Sequence, residues 1–203
     1  MKRPDPQGDE IERIAACLLG GGIALLPTDT VYGLAVHPAF PDSVERLFQL
    51  KQRSRSRPLP VMVAAEDELA GLGVRVTAAA GRLLVSSLVP GALTFVLGFG
   101  GGPVPPWLAG REEVAIRIPD DERMLAVLRR TGPLLVTSAN RQGSATSESL
   151  ADAMGQLDGR PDVAIDGGTL NTVPSTLVNC RRDPPAVERE GAIPAADIMA
   201  LLR

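Results

Sequence analysis

Apolar residues in this chain switch between helical and strand spacing from one end to the other, with no linker long enough to interrupt the switching. Ile11, Ile14, Ala15 and Leu18 share one face of a helix after Asp9, its expected N-cap, with Glu12 at the capping-box position and Gly20-Gly21 ending it. The run Gly22-Ile23-Ala24-Leu25-Leu26 then reads as a short buried strand. Asp42 is expected to cap a second helix carrying Val44, Leu47 and Phe48, which runs out at Lys51-Gln52-Arg53. Further strands are predicted at 59–64, 92–97, 114–118, 134–137, 163–166, 175–180 and 186–190, and helices at 67–71, 77–88, 121–130, 147–157 and 195–202. Within 114–118, Val114, Ile116 and Ile118 take one face of the strand and Arg117 the other. The Gly- and Pro-rich stretch 98–106 is a loop. At 203 residues and 44% hydrophobic, the chain can bury a sizeable core. The alternation predicts one α/β domain over 1–203, built on a mixed sheet with helices covering it.

Several classes of protein are excluded or disfavoured. No apolar run approaches the ~20 residues of a membrane span, and Met1 to Asp9 lacks the apolar stretch of a signal peptide, so a cytoplasmic location is expected. Cys17 and Cys180 have no CxxC spacing and read as small buried hydrophobes. His37, the one histidine, precedes Pro38 in a loop and reads as a surface residue, which disfavours a His-based zinc site or a Ser-His-Asp hydrolase. A net charge of −3, with one Trp, one Tyr and four Phe, argues against a broad nucleic-acid footprint and a base-stacking platform. Neither GxxxxGK[ST] nor a helix-opening GxGxxG occurs.

What remains are polar clusters at strand ends, where α/β proteins hold small ligands. After Leu26 come Pro27-Thr28-Asp29-Thr30-Val31-Tyr32-Gly33-Leu34, with two hydroxyls, a carboxylate and a phenol in five residues. This is either a rigid binding wall or a turn whose Thr and Asp side chains satisfy their own backbone. Lys51-Gln52-Arg53-Ser54-Arg55-Ser56-Arg57 places four cations in seven residues with no acid, and Lys51 is the only lysine besides Lys2. It is either a solvated loop favoured by a helix C-terminus or a polyphosphate clamp. Thr137-Ser138-Ala139-Asn140, Ser175-Thr176 and Arg189-Glu190-Gly191 also follow or end strands. Each reads as turn chemistry or as ligand contact.

In order and spacing, these pieces resemble the threonylcarbamoyl-AMP synthase family, the YrdC-like proteins. The matching residues are 27–34, Lys51-x-Arg53 with Pro58-Leu59, Pro90-Gly91-Ala92-Leu93-Thr94, Val114-x-Ile116-Arg117-x-Pro119, Ser138-Ala139-Asn140, Ser175-Thr176-Leu177-Val178 and Arg189-x-Gly191. They span 27–191, nearly the whole chain. The resemblance implies a concave, positively lined cavity that binds ATP and L-threonine. It implies formation of threonylcarbamoyl-AMP and pyrophosphate from threonine, bicarbonate and ATP. A separate transferase complex would pass the threonylcarbamoyl group to tRNA, which this chain would contact weakly or indirectly.

By the same resemblance Lys51, Arg53, Ser138 and Asn140 form a central catalytic tetrad that also touches the nucleotide. Ser175 and Arg189 contact its phosphates. Thr30, with Thr28 and Tyr32, makes the threonine pocket, and Mg²⁺ is carried in by the nucleotide. Arg117 either joins the substrate site or holds the sheet by pairing with an acid. Met62 stands where the family often has His, Ala35 replaces a common Gly, and Leu177 a common Val. The chain resembles the short form of the family, so some other segment is expected to cover the cavity. Two other readings are a paralogue using a different carbamoyl acceptor, and an RNA-binding module that sets residues 51–57 against a phosphate backbone.

Overall fold

The computed structural model describes residues 6–202. Nine strands form one mixed sheet: β1 (Ile23–Leu26), β2 (Gly33–Val36), β3 (Val61–Met62), β4 (Leu93–Gly98), β5 (Glu113–Arg117), β6 (Leu134–Ser138), β7 (Val163–Ala164), β8 (Thr176–Asn179) and β9 (Ala186–Arg189). Their order across the sheet is β7-β1-β2-β6-β3-β5-β4-β8-β9. Seven helices accompany them: α1 (Pro6–Leu19), α2 (Pro41–Leu50), α3 (Glu68–Gly71), α4 (Ala78–Leu84), α5 (Glu122–Thr131), α6 (Leu150–Gly155) and α7 (Ala195–Leu201).

The side-chain alternation of the strands divides the molecule into two layers. Ile23 and Leu25, Leu34 and Val36, Leu135, Val61, Val114 and Ile116, and Leu93, Phe95 and Leu97 point to one face, which α2, α3, α4, α6 and α7 cover. Ala24 and Leu26, Ala35, Leu134 and Val136, and Met62 point to the other, beneath α1 and α5. A buried Leu or Ile contributes roughly 1.5–3 kcal/mol, so a run such as β1, buried on both faces, fixes its own place in the sheet interior. Helices α1 and α5 cover the second face over β1, β2 and β6 and reach as far as Met62 on β3. Toward β5, β4 and β8 that face is uncovered, and its alternate positions carry Thr94, Ala115, Arg117 and Leu177 instead of a uniform apolar layer.

Three expectations need correction. Asp9 lies within the first turn of α1, which already includes Pro6, a residue whose fixed φ suits a helix start. Asp42 does not cap α2: Phe40 occupies the cap without a side-chain bond and Pro41 opens the helix, so Asp42 acts only through first-turn charge. Residues 33–36, of which only 33 and 34 belong to the 27–34 motif and for which no strand is predicted, are a strand that pairs antiparallel with β1, Leu26 opposite Gly33, and with β6, Gly33 opposite Ser138. The caps of α4, α5 and α6 are regular, with Thr77, Asp121 and Ser149 accepting from the amides of Ala80, Met124 and Asp152.

Candidate active site

The uncovered part of the sheet forms a cleft of about 270 Å³. Because β1 and β2 pair directly, residues 27–32 become their hairpin loop and close one wall. Thr28 spends its hydroxyl on that loop: it donates to the Val31 carbonyl at 2.7 Å and accepts the amides of Thr30 and Val31, both at 3.2 Å. Thr30 Oγ1 accepts from Arg117 Nη1 at 2.8 Å. Both threonines line the cleft, so the side chains that satisfy the turn also form part of the cleft wall. Tyr32 does not line it. Its hydroxyl donates to the Gly168 carbonyl at 2.7 Å and accepts the Gly167 amide at 2.9 Å, on the far side of the loop.

Arg117 ends β5 on the uncovered face and is 4% exposed. It donates to Asp29 Oδ2 at 2.6 Å and to the Gly91 carbonyl at 2.9 Å, and still lines the cleft. The two readings of Arg117 are therefore compatible. Burial lowers its guanidinium from the usual arginine value, Asp29 opposes that, and nearby Arg189 adds to it.

The cationic cluster after α2 is split by its own backbone. Lys51 caps the helix, Gln52 takes a left-handed conformation (φ 50°), and the amides of Gln52 and Arg53 return to the carbonyls of Gln49 and Phe48 at 2.9 Å each. This Schellman arrangement fixes the two functional candidates at the helix end. Arg53 turns into the cleft, its guanidinium braced by the carbonyls of Arg57 and Pro58 at 3.0 and 3.2 Å. Arg55 turns away to pair with Glu45 on α2. Lys51, 2% exposed, lies behind the lining and donates to the main-chain carbonyl of Ser138. Burial, and secondarily the Arg53 charge, lowers its ammonium to about 7.

Ser138 lines the cleft at the end of β6 and donates from Oγ to Asn140 Oδ1 at 2.6 Å. Asn140 is buried outside the lining, and its amide nitrogen holds the following turn through the carbonyls of Ser144 and Arg141 at 2.7 and 3.2 Å. The structure thus joins Lys51, Ser138 and Asn140 in one bonded chain, with Arg53 beside Lys51. Ser175 and Arg189 close the opposite strand edge, where Arg189 Nη2 donates to the Ser175 carbonyl at 2.7 Å. Thr94, between them and Arg117 in the lining, escaped the sequence reading of site residues. Its signals were its place at the end of the matching motif 90–94 and its position opposite the Phe95 side of a buried strand.

The lining contains three guanidiniums and no carboxylate, so the cleft favours anions. Hard cations need oxygen ligands, mostly carboxylate and carbonyl. The lining offers no such set, and among the described residues no group of three or more His, Cys, Asp or Glu gathers to hold a metal. The cleft does not fit a metal site of the protein's own. Outside it, Cys180 is buried, its thiol raised to about 11 by desolvation, and His37 packs edge-on against Phe40. Among the described residues no helix is long and apolar enough to cross a membrane.

Comparison with known proteins follows the same geometry. The chain is 34% identical to the threonylcarbamoyl-AMP synthase of Bacillus subtilis over 98% of its own length and 57% of that protein's. It is 32% identical to the threonylcarbamoyl-AMP synthase of Nitrosococcus oceani over 77% of this chain and 85% of that one. Among solved structures, Pyrococcus abyssi Sua5 complexed with L-threonine superposes with a TM-score of 0.87 at 28% identity, covering 99% of this chain and 59% of that one. The chain thus spans little more than half of two of these relatives. The profile of the Sua5/YciO/YrdC family, described as "Telomere recombination", matches residues 16–191. That span takes in every strand of the sheet and every residue of the cleft lining, and the chain belongs to the Sua5/YciO/YrdC family.

Proposed function

We propose that this chain is an L-threonylcarbamoyladenylate synthase, acting in the cytoplasm as a nucleotidyltransferase. It joins L-threonine, bicarbonate and ATP into threonylcarbamoyl-AMP and diphosphate, which a transferase complex then uses to modify tRNA. The observation that carries this reading is a cleft with Arg53, Arg117 and Arg189 in its lining and no acid. The names of the relatives and the threonine bound to P. abyssi Sua5 support the choice of substrates.

An anionic carbamate must attack an anionic triphosphate, so the residues around the reacting atoms have to offset repulsion and stabilise charge in the transition state. Like charges lie near one another here: Arg53 bears on Lys51, Arg57 on Arg53, and Arg189 on Arg117. Lys51, Arg53, Ser138 and Asn140 serve the α-phosphate, where attack and departure of diphosphate occur; Asn140 acts by holding Ser138. Ser175 and Arg189 take nucleotide phosphate oxygens. Thr30, on the loop that Thr28 braces, and Arg117, at the end of β5, receive threonine, where Thr30 can reject analogues lacking the hydroxyl. Tyr32 supports this wall from behind. Any Mg²⁺ would travel on the triphosphate, and no role of these residues depends on it.

The test is pyrophosphate release by the purified protein with ATP, L-threonine and bicarbonate. Release should require all three. Release without threonine, or none at all, would overturn the assignment.

A further inference from the structure

Thr94 and Ser175 place two hydroxyls together in the cleft, 2.7 Å apart, although 81 residues separate them in sequence. Parallel pairing of β4 with β8, Leu93 opposite Thr176 and Thr94 opposite Leu177, creates the contact. Thr94 is 4% exposed and Ser175 8% exposed, and each borders the cleft. Besides this shared bond Thr94 Oγ1 makes no other hydrogen bond among the described residues. Ser175 Oγ also faces Arg189 Nη2, at 3.4 Å.

Two adjacent hydroxyls hold two hydrogens. One lies in the bond between them, and one is left over for the cleft. Arg189 can only donate, so Ser175 Oγ stands as an acceptor toward it. Arg189 and Arg117 both line the cleft as like charges, with a single carboxylate, Asp29, against Arg117. Two cations so placed favour an anion between them. We infer that Thr94 is a positioning residue: it donates to Ser175 Oγ, and so turns the Ser175 hydrogen toward an anionic oxygen of the substrate held by Arg189. The inference rests on the proposed synthase reading for the identity of that substrate. The oxygen belongs either to a phosphate of ATP or to the carboxylate of L-threonine, and separate titrations distinguish them.

Calorimetric titration of ATP and of L-threonine into the wild type, Thr94→Val, Thr94→Ser, Ser175→Ala and the Thr94→Val/Ser175→Ala double variant tests this. A hydrogen bond to a charged group is stronger than one between neutral groups, so Thr94→Val should weaken one of the two ligands by about tenfold or more, and Thr94→Ser should restore it. Because Thr94 acts through Ser175, the double variant should bind that ligand no more weakly than Ser175→Ala alone. Wild-type affinity for both ligands in Thr94→Val, no recovery in Thr94→Ser, or additive losses in the double variant would overturn the inference while leaving the synthase reading intact. Binding of ATP with the predicted pattern but no threonine-dependent pyrophosphate would overturn the synthase reading alone. A wild type that binds neither ligand would overturn both.

Discussion

The Tyr32 hydroxyl ties the β1–β2 hairpin loop to the segment before β8, donating to the carbonyl of Gly168 and accepting the amide of Gly167. One phenol thereby joins the wall carrying Thr30 to the segment that leads into Pro174 and Ser175 of the lining. Tyr32→Phe keeps the ring and leaves both backbone groups without this partner. Loss of these part-buried bonds should cost about 0.5–1.5 kcal/mol each in urea unfolding, with faster amide exchange concentrated in residues 167–173. Unchanged exchange there would show that the phenol holds nothing.

Asp29 matches the charge of Arg117 where both side chains are nearly buried, 12% and 5% exposed. Removing one member of such a pair leaves the other charge uncompensated, at a cost of about 3–5 kcal/mol. Asp29→Asn should therefore lower the unfolding midpoint sharply. A double variant with Asp29→Leu and Arg117→Met should recover most of that stability yet form no threonylcarbamoyl-AMP. A double variant no more stable than Asp29→Asn would mean that the pair stabilises through more than its charge.

Gly191 follows β9 at a point where a Cβ would collide with the carbonyl of Pro174 and come within 2.6 Å of the Ser175 carbonyl. These are backbone atoms and cannot swing aside. Gly191→Ala should displace Ser175, weakening ATP or threonine binding in calorimetry together with a lowered thermal midpoint. Wild-type affinity would show that residues 174–175 can shift without harm to the site.

The two faces of β5 were legible because alternation is itself a physical signal. Val114 and Ile116 oppose Arg117 at a period of two, and that separated the apolar face of β5 from the face carrying Arg117. Strand β2 was not legible. Four residues buried on both faces show no alternation, and they follow directly on the polar loop that drew attention to itself. At the site, residue types could show that Lys51, Arg53 and Arg55 were cationic, but their different fates depend on tertiary position: the Schellman turn aims Arg53, the Ser138 carbonyl takes Lys51, and Glu45 removes Arg55. Tyr32 was misplaced for the same reason, since its partners are 135 and 136 residues away.

The division between Arg53 and Arg55 can be read in kinetics. Arg55→Ala removes an exposed ion pair of the kind that contributes little, so turnover should stay within about twofold of wild type. Arg53→Ala removes a guanidinium of the cleft lining, which the proposed reading sets against the substrate phosphates, and should lower kcat/KM by about 10²-fold or more. Comparable losses in both variants would mean that the whole segment 51–57 acts as one clamp.

Lys51 gives a prediction in pH. In the folded protein its ammonium is lowered from 10.5 to about 7, first by burial and then by the charge of Arg53. Above pH 7 the free protein thus holds Lys51 largely neutral. An anion seated beside Arg53 favours the charged form, so nucleotide binding at pH 8 should take up a proton, seen as a dependence of the calorimetric heat on buffer ionisation. Affinity should fall above pH 7 by up to about tenfold per pH unit. Stability has its own sign: from about 7 to 10.5 the unfolded chain binds more protons at this residue than the folded one, so the Lys51 contribution to stability rises with pH across that window. Lys51→Met removes the titrating group. It should abolish the proton uptake and threonine-dependent pyrophosphate release, while unfolding at pH 6 occurs at an equal or higher midpoint. Proton uptake that survives in Lys51→Met would assign the titration to another group, and full activity would remove Lys51 from the mechanism.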